Sequence, residues 1–201
     1  MREGMIFIVS GPSGGGKTTL VKKILNHLNN LRFSVSCTTR ERRKGEVNGK
    51  DYVFVSEGEF QKMIEEDEFA EYAKVHDHMY GTPMAELKKA KTSGVDLILD
   101  IDVQGARQIK KKYRSAVYCF VLPSSFEVLR KRLNERKSEN SREIEKRLSD
   151  ARKEMEDVEN YDYIIINDKL DEAVECLASV IRSARCRKDR VIERVRKDYK
   201  F

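Results

Sequence analysis

Residues Gly11-Pro12-Ser13-Gly14-Gly15-Gly16-Lys17-Thr18 follow the apolar run Met5-Ile6-Phe7-Ile8-Val9 and precede a stretch in which Leu20, Val21, Ile24, Leu25 and Leu28 recur at helical spacing. Strand, G-x-x-x-x-G-K-[ST] and helix in that order form a phosphate-binding loop in its required context. The glycines let successive backbone N–H groups curl around a polyphosphate, and the opening helix aims its positive end at the same anion. Lys17 then reaches the β- and γ-phosphates, and the Thr18 hydroxyl suits Mg²⁺. The flanking strand and helix and the Lys-Thr pair favour this reading over a chance glycine-rich turn. The expected ligand is a nucleoside triphosphate with Mg²⁺.

A chain of 201 residues with 39% hydrophobic content can build one sizeable α/β core with smaller inserts, but hardly a second full domain. No apolar run approaches membrane-spanning length, and Met1-Arg2-Glu3-Gly4 leads straight into a strand rather than a signal peptide. The expectation is a soluble, cytoplasmic protein with no membrane partner. Cys37, Cys119, Cys176 and Cys186 lack Cys-x-x-Cys spacing and paired histidines, which favours reduced structural thiols over zinc ligands. Of the net charge of +6, most comes from the stretch Arg185 to Phe201, with eight Lys/Arg against three Asp/Glu. Without interleaved aromatic residues such a tail reads as a solvated helix end, and nucleic acid is only a minor hypothesis. Oligomeric state is left open.

Along the chain, Phe33 to Cys37 reads as a short strand, Thr38 to Gly49 as a polar basic loop, Tyr52 to Val55 as a strand, and Phe60, Met63 and Ile64 as one face of a short helix. These elements are too small for a core of their own and read as an insert ending near Pro83, which can open the next helix. Val95 to Ile101, Ala116 to Leu122 and Tyr161 to Asn167 read as strands buried on both faces, with helices between and after them. The fold class is therefore α/β, a parallel sheet covered on both faces, with ligands at the carboxyl ends of its strands.

The remaining blocks are Ser36-Cys37-Thr38-Thr39-Arg40-Glu41-Arg42-Arg43-Lys44-Gly45-Glu46, Asn48-Gly49-Lys50-Asp51-Tyr52, Glu71, Tyr80-Gly81-Thr82 and Leu99-Asp100-Ile101-Asp102-Val103-Gln104-Gly105. In this order they closely resemble guanylate kinase, from Ile6 to about Ala184. The resemblance implies transfer of the γ-phosphoryl group of ATP to GMP (and dGMP) in a three-layer P-loop core (1–34, 84–123, 156–201), a GMP-binding insert (35–83) and a helical lid (124–155). It places the acceptor phosphate on Arg40, Arg43, Tyr52 and Tyr80, guanine N1–H and N2–H₂ on Glu71, and guanine O6 on Ser36 and Thr82. Glu46, Gly81 and Asp100 belong to the same acceptor site. ATP falls to Gly11 through Thr18 with Thr19, Arg136, Asn167 and Asp168. The catalytic set is Lys17, Arg136 and Arg147. Thr18 is assigned to Mg²⁺, and Asp102 either orients a Mg²⁺-bound water or is a structural carboxylate. Arg42 and Lys44 read as solvated, as does the basic cluster Arg130-Lys131-Arg132, Arg142 and Lys146 apart from Arg136 and Arg147, and His76-x-His78 reads as structural.

A rival from another class is the guanylate-kinase-like interaction module of scaffold proteins, which keeps the fold without ATP chemistry; the intact Lys17 and Thr18 argue against it. Another nucleoside-monophosphate kinase is the nearest rival among enzymes.

Overall fold

The computed structural model describes residues 3–75, 77–135 and 141–200, with the side chains at 141–143 and 194 left out. The chain runs β1 (Ile6–Ser10), α1 (Lys17–His27), β2 (Leu31–Phe33), β3 (Cys37–Thr38), β4 (Val53–Phe54), α2 (Glu57–Glu65), β5 (Phe69–Val75), β6 (His78–Pro83) and α3 (Met84–Ser93). It continues through β7 (Asp96–Asp100), α4 (Val103–Lys112), β8 (Val117–Leu122), α5 (Phe126–Asn134), α6 (Ser141–Met155), β9 (Tyr163–Ile166), α7 (Leu170–Arg185) and α8 (Lys188–Tyr199).

The main sheet is β2-β7-β1-β8-β9, every pair parallel. Alternation along β1 explains its uninterrupted apolar sequence. Phe7 and Val9 pack with Leu20 and Ile24 of α1 and Leu177 and Ile181 of α7, whereas Ile6 and Ile8 pack with Leu87 of α3 and Ile109 of α4. Each of these β1 residues thus meets helices on its own side, as a buried parallel strand requires. The edge strand β9, expected to be buried on both faces, instead buries Ile165 and exposes Tyr163, Ile164 and Ile166.

A second sheet, β4-β3-β6-β5, is built from the stretch between Cys37 and Pro83. The single strand expected over Phe33–Cys37 is instead two. Ser34 N–H still bonds to Ile98 of the main sheet, while the carbonyl of Ser36 already accepts from Val53 of the second. The segment passes from one sheet to the other, and no local pattern marks the change of partner. α2 closes this sheet with a full capping box at Ser56 and Glu59, and stacks Phe60 on Phe69.

α5 and α6 pair through Leu129, Leu133, Leu148 and Ala151. The basic tail forms a helix of its own, α8, tied back by the Arg190 guanidinium on the Glu3 carbonyl. All four cysteines are free, Cys37 and Cys119 buried. Among the described residues no helix is long and apolar enough to cross a membrane.

Candidate active site

β1 ends at Ser10 and α1 begins at Lys17, so the intervening loop sits at the carboxyl edge of the central strand. Gly16 is the N-cap of α1 at φ 87°, a left-handed conformation, and a β-carbon there would lie 2.3 Å from Asn167 Nδ2. Only glycine meets both demands. Asn167 itself is buried and donates to the Gly15 carbonyl at 2.9 Å, which braces the loop from β9. Lys17 Nζ donates to the carbonyls of Gly11 (2.7 Å) and Pro12 (3.1 Å), folding its ammonium over the loop it must serve. Thr19 points to solvent on α1, and Asp168 accepts from Ser124 N–H at 3.0 Å.

Thr18 Oγ1 donates to Asp100 Oδ2 at 2.6 Å across the β1–β7 pair. Burial raises the Asp100 pKa, while the Lys17 charge and the Thr18 hydroxyl oppose the rise. Asp102 caps α4, accepting from the N–H groups of Gln104 and Gly105. Asp100 is thus the carboxylate that meets the Thr18 hydroxyl, a pairing the sequence did not reveal.

Opposite the loop, Glu71 of β5 is buried and accepts from Thr82 Oγ1 of β6 at 2.5 Å. Its pKa is pushed up to about 7, chiefly by burial. Ser36 is buried beside it, and Glu71, Ser36, Tyr52 and Tyr80 line one cavity of about 190 Å³ together with Lys17, Thr18, Asp100 and Asp102. Gly81 pairs with Cys37, and a β-carbon on it would press on Phe69 and Phe60.

Arg40 is held in a fork. Its two terminal nitrogens donate to Glu46 at 2.7 and 3.1 Å, one also to the Glu41 carbonyl, and the guanidinium stands 5.5 Å from the Tyr52 ring. Glu46 also accepts from the backbone of Arg43 at 2.8 Å, and Arg40 holds its carboxyl below the usual range. Glu46 therefore fixes the Arg40 guanidinium and the backbone at Arg43. The Arg43 side chain is exposed.

From α6, Arg147 Nη1 reaches Ser13 Oγ at 3.4 Å. Seven residues on, and so on the same helical face, Glu154 brings a half-buried carboxyl toward the Ser13 backbone N–H and the Lys17 charge. Burial pushes its pKa up to about 7. Sequence reading passed over Glu154, although its spacing from Arg147 was the available signal. Arg132, expected to be solvated, donates to the carbonyls of Asn167 (2.6 Å) and Asp168 (3.4 Å) beside the loop. Arg136 and His76 lie outside the described residues. The described part forms one cleft with an anion cradle on one wall and a buried carboxyl and hydroxyls on the other.

The family model for guanylate kinase matches residues 3–184. The chain belongs to the guanylate kinase family. It is 52% identical over 194 residues, 96% of each chain, to a guanylate kinase of Geobacter metallireducens. It is 44% identical over 185 residues to a guanylate kinase of Thermotoga maritima, covering 92% of this chain and 89% of that one. The crystal structure of guanylate kinase from Anaplasma phagocytophilum superposes with a TM-score of 0.82 at 33% identity, covering 98% of this chain and 95% of the other. The guanylate kinase fold read from the sequence, α/β with a parallel P-loop core, is the one the chain adopts.

Proposed function

We propose that the chain is an ATP:GMP phosphotransferase that also accepts dGMP, working with Mg²⁺ in the cytoplasm to recycle GMP in purine nucleotide metabolism. The observation that carries this reading is the single cavity shared by Lys17 and Thr18 on one side and Glu71, Ser36, Tyr52 and Tyr80 on the other. An anion cradle facing a buried carboxyl is what transfer from a polyphosphate to a guanine nucleotide needs, since such transfer depends on positioning and charge neutralisation. Family membership and the intact Lys17 and Thr18 favour it over a non-catalytic interaction module.

The loop N–H groups and the α1 dipole bind the ATP phosphates, and Lys17 exchanges its two carbonyl partners for phosphate oxygens. The Thr18 hydroxyl and the Asp100 carboxylate are hard oxygen ligands 2.6 Å apart, a donor pair that fits a Mg²⁺ keeping phosphate and water as its other ligands. When bound, that ion neutralises phosphate charge. Glu71, ionised, accepts from guanine N1–H and N2–H₂. Ser36 and Thr82 serve guanine O6, and Arg40, Arg43, Tyr52 and Tyr80 hold the phosphate of GMP. A phosphate oxygen of GMP is already nucleophilic, so no side chain has to remove a proton. Arg147 lies against Ser13 and is the described lid arginine best positioned to stabilise charge on the transferring group. The insert (35–83) and lid (124–155) close over the core and exclude water.

The test is ADP release with GMP, dGMP, AMP, UMP and dTMP as acceptors. Turnover with the two guanine nucleotides alone is expected, and equal turnover with AMP would overturn the acceptor assignment.

A further inference from the structure

A cavity of about 540 Å³ opens on the α4 face, and none of its lining residues belongs to the cavity of Lys17 and Glu71. One wall is cationic. Arg107, Lys110 and Lys111 stand at the i, i+3, i+4 spacing of one face of α4, Arg114 follows in the turn after the helix, and Asp157 is the one carboxylate among the lining residues. Another wall is aromatic. Half-buried Tyr161 presents the ring, backed edge to face at 6.4 Å by the buried Tyr118, whose own ring Lys110 Nζ covers at 5.0 Å.

Like charges at three- and four-residue spacing repel each other, so Arg107, Lys110 and Lys111 call for counter-charge. The chain supplies it only in part. Arg107 Nε pairs with the buried Asp157 at 2.6 Å and Lys110 donates to the Asn160 carbonyl, whereas Lys111 and Arg114 are exposed without a partner among the described residues. A solvated helix face would carry such charges over open surface. Here they rim a concavity with an aromatic wall, of the size that holds small organic ligands.

The cavity also adjoins the catalytic cleft at two points. Asp157 follows α6, the helix of Arg147 and Glu154, by two residues. The buried Tyr161 hydroxyl lies against Ser10, the residue before the phosphate-binding loop. An anion that draws Arg107 away from Asp157 loosens the anchor of α6.

We propose that this cavity is a regulatory site for a phosphorylated ring compound of mononucleotide size, its phosphate on Lys111 and Arg114 and its ring against Tyr161, coupled to the catalytic cleft through Arg107 and Asp157. It is tested by calorimetric titration of CMP, UMP and inorganic phosphate into the full chain with its catalytic cleft saturated by GMP and a non-hydrolysable ATP analogue. CMP or UMP should bind once per chain, at least tenfold tighter than inorganic phosphate. The affinity should fall tenfold or more in Lys111→Glu/Arg114→Glu, whose charges lie on the surface, whose fold should persist and whose kcat without CMP or UMP should equal wild type. The bound pyrimidine nucleotide should also shift the KM for ATP at saturating GMP by twofold or more in wild type and not in the double variant. No saturable binding of CMP or UMP, equal binding by the double variant, or equal binding of inorganic phosphate would overturn the site. An unchanged KM for ATP would overturn its coupling to catalysis.

Discussion

Gly105 leaves open the space into which Glu71 projects: a β-carbon at position 105 would lie 2.3 Å from Glu71 Oε2. Gly105 sits in α4, where alanine ordinarily stabilises a helix by about 1 kcal/mol relative to glycine. Gly105→Ala should have the opposite functional value. The methyl group pushes the Glu71 carboxyl off its axis with Thr82, so GMP affinity should fall at least tenfold while ATP affinity holds. Calorimetric titration of each nucleotide decides, and unchanged GMP binding would remove the steric argument.

Burial raises the Glu71 pKa from the ordinary carboxyl value to about 7. Because the folded state binds this proton more tightly than the unfolded chain, the Glu71 contribution to stability is fully present below about pH 4.5 and is lost as pH rises toward 7. Guanine binding has the reverse dependence, since its adjacent donors require the ionised carboxylate. Guanosine, which carries no phosphate of its own to titrate, should bind about tenfold more weakly for each pH unit below 7. Glu71→Gln should bind it weakly with no such slope, and should lower kcat/KM for GMP by about 10²-fold or more. A flat wild-type profile between pH 5.5 and 8 would contradict the assignment.

Why some of this was legible in the sequence and some was not follows from how far apart the partners lie. The phosphate-binding loop is specified within eight residues, because each glycine and Lys17 answers to local backbone geometry. Glu71 and Thr82, and the arginine loop ending at Glu46, were legible only through the resemblance, since nothing local distinguishes Glu71 from the other glutamates. The contact of Glu71 with Gly105 joins a strand of the second sheet to a helix of the first and has no sequence signature. Arg132 was hidden in a basic run whose members differ only in the direction they face. The handover between Ser34 and Ser36 was hidden because an extended chain looks the same on either side of it.

Lys17 holds the carbonyls of Gly11 and Pro12 and lies on the cleft wall proposed to bind the phosphoryl donor. Lys17→Ala should therefore abolish phosphoryl transfer, a loss of about 10³-fold or more, with GMP affinity changed less than threefold. Turnover and GMP calorimetry check the two halves separately. Wild-type turnover would refute the donor assignment, and lost GMP binding would mean that the two walls of the cleft are not independent.

Two neighbouring stretches of the basic tail should respond in opposite ways to mutation. Arg185, the last residue of α7, donates Nε to Asp96 at 2.8 Å and Nη2 to the carbonyls of both Asn29 and Asn30. Asp96 is completely buried and also accepts from Met5 N–H at 2.8 Å, so one ion pair ties β1, β7 and α7 together. Removing the cation strands a buried carboxylate, and Arg185→Ala should lower unfolding free energy by about 3–5 kcal/mol. Arg185→Lys should recover part of that, because charge is kept but the fork is lost. Deleting residues 187–201 removes α8, whose contact with the rest of the chain includes Arg190 on the Glu3 carbonyl, and should leave urea stability within about 1 kcal/mol and phosphotransfer intact. Urea unfolding of the three variants reads all of this in one series. If the deletion destabilises as much as Arg185→Ala does, the tail packs on the core rather than ending at Arg185.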